Sequence, residues 1–151
     1  MNETVLFTRV SFEKYVDIIS SVEKTINDLS RQIQQAIEDG GDSWHDNFSY
    51  EEITRQIRMQ DTRLSELKLP LQNCKIIEST KIISHVTISA MVTIEIDNQH
   101  KSFRIEGYGY VDLKSNIISY NTPIGKVLLG KKMNDSFSFN KKTITIKKIE
   151  L

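Results

Sequence analysis

Cysteine, proline and long apolar runs are scarce in this sequence. The 151 residues include one cysteine, Cys74, and two prolines. A single cysteine excludes an internal disulfide framework and a zinc site built from several thiolates, and it is typical of a reducing compartment. No apolar run approaches the roughly 20 residues that cross a membrane, and the N-terminal residues lack the pattern of a signal peptide. We therefore expect a cytoplasmic protein without a membrane partner.

The formal net charge is zero, yet the two halves of the chain differ in sign. Residues 1–72 contain eight basic and 13 acidic residues, whereas residues 73–151 contain 12 basic and seven acidic residues. Such a split favours two surfaces with different partners. A mixture of solvated surface charges explains the same counts equally well.

Heptad spacing dominates the first half of the chain. Apolar residues recur at alternating intervals of four and three, at Tyr15, Ile19, Val22, Ile26, Leu29, Ile33 and Ala36. After Gly40 and Gly41 the spacing resumes at Tyr50, Ile53, Ile57, Gln60, Leu64, Leu67 and Leu71. The two seams predict an antiparallel coiled-coil hairpin over residues 1–72, with Ser11 as the first N-cap and Pro70 closing the second helix. Two helices packed on a globular body are the alternative.

From Cys74 onward the periodicity changes to two. Alternating apolar residues predict one long strand over residues 86–96, a turn at residues 97–100 and a returning strand around Phe103 and Ile105. A further strand is predicted at residues 117–120, followed by a short helix capped by Thr122 and ended by Gly130. The last strands are predicted at Phe137, Phe139, Ile144, Ile146 and Ile149. We expect an α+β domain with a mostly antiparallel sheet over residues 73–151.

The sequence around the predicted turn between the two helices is acidic. Between Arg31 and Arg55 it carries six carboxylates and no Lys or Arg, namely Glu38, Asp39, Asp42, Asp46, Glu51 and Glu52. Crowded like charges favour a bound cation, and Mg²⁺ prefers oxygen ligands of this kind. Solvated or helix-capping acids are the alternative. Trp44 either packs with Phe48 across the apex or contacts a partner, and His45 is expected to be a bystander.

Residues 121–135, Asn-Thr-Pro-Ile-Gly-Lys-Val-Leu-Leu-Gly-Lys-Lys-Met-Asn-Asp, resemble a segment of the bacterial transcript-cleavage factors GreA and GreB. The family segment is of the type Ser-Pro-Ile-Gly-Arg-Ala-Leu-Leu-Gly-Lys, so Thr122 replaces the serine and Lys126 the arginine. The resemblance implies an FKBP-like antiparallel sheet domain after the coiled-coil hairpin. It also implies that the hairpin enters the secondary channel of RNA polymerase and acts at the 3′ end of the nascent RNA.

The acidic segment is similar to the family's tip, Gly-Asp-Leu-Ser-Glu-Asn-Ala-Glu-Tyr, at Gly41-Asp42, Asp46-Asn47 and Tyr50. The resemblance implies that Asp42 and Asp46 help to hold a second Mg²⁺ in the polymerase active site, where RNA is cleaved. The isolated protein is not expected to hold that ion stably. Two features depart from the family: Asp46 replaces a glutamate, and three residues rather than two separate the acids.

The resemblance implies a transcription elongation factor that stimulates the nuclease activity of RNA polymerase and is not itself an enzyme, and we expect a monomer. The expected partner-binding residues are Trp44 at the tip and Pro123, Ile124, Gly125, Lys126 and Lys131 in the sheet domain. The alternative is a regulator or inhibitor that binds the same channel without stimulating cleavage. A prolyl isomerase is a third reading, which rests only on the implied FKBP-like fold.

Overall fold

A computed structural model describes residues 3–40, 48–78 and 84–151. Its helices are α1 (Arg9–Gly40), α2 (Phe48–Lys68), a 3-10 helix (Leu69–Asn73) and α3 (Pro123–Leu128). Its strands are β1 (Val5–Phe7), β2 (Cys74–Ile76), β3 (Met91–Ile96), β4 (Gln99–Glu106), β5 (Ile117–Ser119), β6 (Ser136–Phe139) and β7 (Lys142–Glu150). No described helix is long and apolar enough to span a bilayer.

The chain divides into two compact units. Residues 16–73 form a helical unit, and residues up to Tyr15 together with Cys74–Leu151 form a sheet unit. The change in periodicity predicted a domain boundary between residues 72 and 73. It did not predict that the first 15 residues belong with the sheet. They do so because β1 pairs in parallel with β2, Val5 lying opposite Cys74. A three-residue strand is too short to show a period.

In the helical unit, α1 and α2 carry the predicted seams. Ile19, Val22 and Leu29 of α1 are buried, and the seam residues of α2 are half-buried. The Lys68 Nζ lies 2.8 Å from the Glu23 Oε1, which joins the end of α2 to the first half of α1. Because α1 ends at Gly40 and α2 begins at Phe48, a contact between the end of α2 and Glu23 requires the two helices to be antiparallel, as the heptads predicted. Helix α2 ends at Lys68, and Pro70 lies in the 3-10 helix that follows.

Helix α1 begins at Arg9, two residues before the predicted cap. The N-cap is Thr8, whose Oγ1 accepts a hydrogen bond from the Ser11 amide at 3.0 Å. Ser11 completes a reciprocal cap, since its Oγ accepts from the Thr8 amide at 2.9 Å. The Thr8 hydroxyl also donates to the buried Glu106 Oε2 at 2.7 Å. The prediction of Ser11 as the N-cap was therefore wrong. Thr8 directly precedes the first helical residue and its side chain caps the helix, whereas Ser11 lies within the first turn.

The main sheet has five strands in the order β5-β4-β3-β7-β6. All its neighbouring pairs are antiparallel except β4 and β5, which run in parallel. The predicted fold, a helical hairpin followed by a mostly antiparallel α+β sheet domain, is confirmed. Apolar side chains from the sheet and α3 form its core: Val86, Ala90, Val92, Ile94, Ile105, Ile118, Leu128, Ile144 and Ile146.

The long strand predicted over residues 86–96 is shorter in the structure. Pairing with β4 and β7 begins at Met91. Ser89 has a φ of 77°, and the Ala90 amide turns back to the Thr87 carbonyl at 3.2 Å. Val86, Ile88 and Ala90 are still buried, so the alternation predicted the apolar face correctly, but Ser89, from the predicted polar face, is buried as well.

Candidate partner-binding site

Helix α3 is formed by the segment that carried the family resemblance. The Thr122 Oγ1 accepts from the Gly125 amide at 3.2 Å and donates to the Ser119 carbonyl at 2.7 Å. Pro123 occupies the first turn, where no amide hydrogen is needed. The predicted cap is confirmed, and the hydroxyl that caps α3 also fastens it to the end of β5.

Close packing explains the glycine and the apolar residues of α3. A β-carbon at Gly125 would overlap the Ser119 carbonyl oxygen and would lie 2.9 Å from the Tyr120 Cα. Leu128 is fully buried and Ile124 packs half-buried against the core. Of the predicted partner-binding residues, Ile124 and Gly125 thus face the protein's own interior.

The remaining predicted residues of this segment reach the surface to different degrees. Pro123 and Lys126 are exposed on α3. Lys131 is half-buried, and its Nζ lies 5.5 Å from the centroid of the Phe137 ring. This cation–π contact occupies part of the Lys131 side chain. Pro123 and Lys126 are therefore the best-presented residues of the segment.

A shallow pocket of about 530 Å³ adjoins α3. Its lining residues come from the N-terminal segment, the end of β5 and α3: Glu3, Thr4, Val5, Tyr108, Tyr120, Asn121, Lys126 and Leu129. The Tyr120 hydroxyl accepts from the Leu6 amide at 3.1 Å, which leaves its hydrogen for another acceptor. Together with the Lys126 ammonium, this hydroxyl suits a partner group that accepts hydrogen bonds, such as a carboxylate.

Several lysines of the basic half are matched by acids. Lys142 lies 2.6 Å from Asp97, Lys147 3.2 Å from Glu95 and Lys148 2.7 Å from Glu150. The Lys147 ammonium is also the main cause of a lowered Glu95 pKa. Exposed pairs of this kind contribute little stability, but they reduce the positive field along β7. The charge excess of the second half therefore does not form one basic face on that strand.

The predicted metal-binding and catalytic residues, Asp42 and Asp46, lie outside the described residues, as do Trp44 and His45. Phe48, at the start of α2, is 78% exposed, so the expectation that it packs across the apex was wrong. The described ranges contain no cluster of three or more residues able to hold a metal ion.

One acid that borders the tip is engaged within its own helix. Glu52 accepts hydrogen bonds from Arg55 at 2.6 and 2.9 Å and from Gln56 at 2.8 Å. These bonds, that from Arg55 foremost, lower the pKa of Glu52 to about 2. Glu52 is thus less available to an external cation than the count of acids suggested.

Two buried residues that position the sheet unit, Glu106 and Gly107, were not predicted from the sequence. Glu106 receives the Thr8 hydroxyl, and Gly107 lies so close to α1 that a β-carbon would be 2.5 Å from the Thr8 nitrogen. Glu106 falls on the polar side of the alternation of Phe103 and Ile105, so only the glycine that follows it was an available signal. Buried charges are usually hydrogen-bonded, and glycine often marks a close backbone approach.

An antiparallel helical pair followed by a capped helix on a mostly antiparallel sheet defines a two-part α+β protein. Residues 80–151 match the family model "Transcription elongation factor, GreA/GreB, C-term". The chain is 31% identical to GreA of Thermotoga neapolitana over 87% of this chain and 85% of that protein. It is 30% identical to GreA of Thermoanaerobacter pseudethanolicus over 91% and 89%. The chain belongs to the GreA/GreB family of transcription elongation factors.

Shorter and more distant matches accompany these. GreA of Buchnera aphidicola is 33% identical over 60% of this chain, and the match spans 59% of that protein's length. The crystal structure of Thermus aquaticus Gfh1 aligns over 99% of both chains at 19% identity, with a TM-score of 0.47. A GreA/GreB factor from Nitrosomonas europaea aligns over 67% of this chain and 93% of its own, at 17% identity and a TM-score of 0.42.

Proposed function

We propose that this protein binds RNA polymerase, inserts its acidic tip into the secondary channel and stimulates Mg²⁺-dependent cleavage of backtracked RNA. The observation that carries the proposal is the extent of the match to GreA, which includes the helical half, the acidic segment and the sheet half. A match confined to the sheet unit would leave the tip without a counterpart. The antiparallel α1–α2 pair favours the proposal, because the acidic segment joins its two helices.

The two units have separate roles in this proposal. The sheet unit supplies affinity for polymerase through the exposed Pro123 and Lys126 beside the pocket on α3. The carboxylates of Asp42 and Asp46 form a donor set that suits Mg²⁺ and would hold the ion together with the polymerase. There the ion would activate the attacking water or stabilise the leaving oxygen of the RNA. The protein alone is not expected to cleave RNA.

A second candidate is a factor that occupies the channel without stimulating cleavage. The spacing of the tip favours it, because Ser43, Trp44 and His45 separate the two acids where the family has two residues. A displacement of about 1 Å can cost roughly a hundredfold in rate. Against this, a longer loop can carry the shorter aspartate to the position of a glutamate, so we favour stimulation.

The deciding experiment uses a backtracked elongation complex of a matching bacterial polymerase with Mg²⁺. Adding the protein should accelerate release of short 3′ RNA fragments, and omitting the polymerase should abolish cleavage. The Asp42→Asn variant should bind the polymerase like the wild type and lack the acceleration. Slower elongation with unchanged cleavage would reverse the choice between the two candidates.

A further inference from the structure

Residues 111–116, here called the Leu113 turn, expose apolar side chains that the protein's own core does not need. Leu113 is 75% exposed and Val111 is 47% exposed. Both lie in the sheet unit, between β4 and β5. A single exposed apolar residue is ordinary, but two such residues within three positions of one turn are a candidate contact surface.

The Leu113 turn is tightly constrained by Asp112. The Asp112 Oδ1 accepts from the Lys114 amide at 3.0 Å, and its Oδ2 accepts from the Ser115 hydroxyl at 2.8 Å. The backbone of Asp112 exchanges two hydrogen bonds with Ile117, at 2.9 and 2.8 Å. The hydrogen bond from the Ser115 hydroxyl is the main cause of a lowered Asp112 pKa. Leu113 is therefore presented on an ordered backbone, which lowers the entropy lost on binding.

Positive charge flanks this surface. Lys114 follows Leu113 directly, and the ammonium of Lys14 in α1 acts electrostatically on Asp112. Both lysines are exposed, and neither has an ion-pair partner in the part of the chain that the structure describes. An apolar centre with a basic rim fits an apolar recess bordered by carboxylates. That complementarity favours a protein over a nucleic acid, whose phosphates would leave the leucine without a partner.

The Leu113 turn is also joined to the site on α3. The Gly109 amide, two residues before Val111, donates to the Ser119 Oγ at 3.0 Å and to the Asn121 Oδ1 at 3.4 Å. Asn121 lines the pocket beside Lys126. A partner seated on α3 would therefore lie next to the segment that leads into the turn.

We propose that the Leu113 turn is a second anchor for RNA polymerase, in which Leu113 fills an apolar recess ringed by acidic side chains. The proposal rests on the proposed function for the identity of the partner. The residues that carry it are separate from the acidic tip, so the turn contributes to affinity and not to the cleavage step.

The test measures the affinity of the full-length protein for core polymerase. Leu113→Ser should fold normally, because the side chain is exposed, and should weaken binding about 10- to 100-fold, the range expected when a leucine is no longer buried. Leu151→Ser is the matched control, since Leu151 is 53% exposed in the same unit and lies outside residues 121–135, and its affinity should be unchanged. At saturating protein, cleavage by Leu113→Ser should equal that of the wild type.

The charged rim and the ordered backbone give two further readouts. The double variant Lys14→Glu, Lys114→Glu should slow association and weaken the salt dependence of binding. Asp112→Ala keeps Leu113 and the backbone bonds to Ile117 but removes the side-chain bonds to Lys114 and Ser115, and it should weaken binding with an unchanged core.

Three results would overturn the inference. Affinity unchanged in Leu113→Ser, while Lys126→Ala weakens binding, would reject the turn and leave the proposed function standing. A wild-type protein that does not bind polymerase at all would reject both. A Leu113→Ser variant that loses self-association or binding to free RNA, but not polymerase binding, would assign the turn to a second copy or to nucleic acid.

Discussion

Substitution of Gly107 by alanine tests how the sheet unit holds the start of α1. A β-carbon at this position would overlap the Ser11 Oγ and would lie 2.5 Å from the Thr8 nitrogen and 2.9 Å from the Phe7 Cα. Two of these three atoms belong to the backbone of β1 and the α1 cap, so a change of rotamer cannot relieve the overlap. The chain must move at the point where the Thr8–Ser11 cap and the Glu106 hydrogen bond meet.

The cost follows from two contributions. Overpacking a filled site typically costs about 1–3 kcal/mol, and loss of the reciprocal cap adds about 1 kcal/mol. We expect Gly107→Ala to lower the free energy of unfolding of the sheet unit by about 2–4 kcal/mol. In a unit of this size the melting temperature should fall by roughly 10–20 °C. Differential scanning calorimetry of the full chain would measure this fall.

A control and a double variant make the Gly107 prediction specific. A β-carbon at Gly130 meets no atom within 4 Å, so Gly130→Ala should cost only the roughly 1–2 kcal/mol of a left-handed alanine at φ +76°. Ser11→Ala should be less harmful in the Gly107→Ala background than alone, because it removes one overlapping atom. A Gly107→Ala protein that melts within about 2 °C of the wild type, or strictly additive effects with Ser11→Ala, would refute the packing argument.

Three further predictions concern the tip, α2 and a turn. Asp42→Asn and Asp46→Asn should each abolish stimulated cleavage, and the double variant should lose no more, because two ligands of one ion act as a unit; small, additive losses in single-turnover assays would indicate general electrostatics. Arg55→Ala should raise the pKa of Glu52 from about 2 towards 4.5 in an NMR titration. The stabilisation linked to Glu52 should accordingly be complete above pH 4.5 and be lost as the pH falls towards 2; a pKa that stays near 2 without Arg55 would contradict this. Lys141→Gly should raise the free energy of unfolding by about 0.5–1 kcal/mol, seen as a higher denaturant midpoint at an unchanged m-value, since Lys141 has a φ of 63° in a two-residue turn; a lower midpoint would show that the lysine side chain matters more.

Periodic features were the ones that the sequence could predict. Every heptad position from Ile19 to Leu71 is at least half-buried, because burial of a stripe is what sustains a heptad. The cap at Thr122 was also predictable, since a hydroxyl residue before proline is a local signal. These signals act over a few residues and need no knowledge of the tertiary fold.

Features that depend on distant contacts were missed. Strand β1 exists because residues 74–76 offer it an edge, and nothing within three residues of sequence shows this. Thr8 and Ser11 are both hydroxyl residues, so the local sequence does not separate them as caps. In the structure the Thr8 hydroxyl also donates to Glu106, a contact between residues 98 apart that no local signal shows. The backbone at Ser89 is likewise tied to a distant residue, since its amide donates a hydrogen bond to the Ile105 carbonyl at 2.6 Å.

The segment that carried the resemblance combines two kinds of residue. Gly125 and Leu128 are explained by packing on Ser119 and on the core, so changing either would destabilise α3 before it affected any partner. Pro123 and Lys126 do not pack inside the protein in this way, and they contribute only to the first turn of the helix. A loss of polymerase binding in a Gly125 variant would therefore not identify a contact, whereas a loss in Lys126→Ala, with an unchanged melting temperature, would. The motif alone could not separate these cases, because it shows that a residue type is required but not whether that residue packs inside the protein or contacts a partner. The structure does separate them.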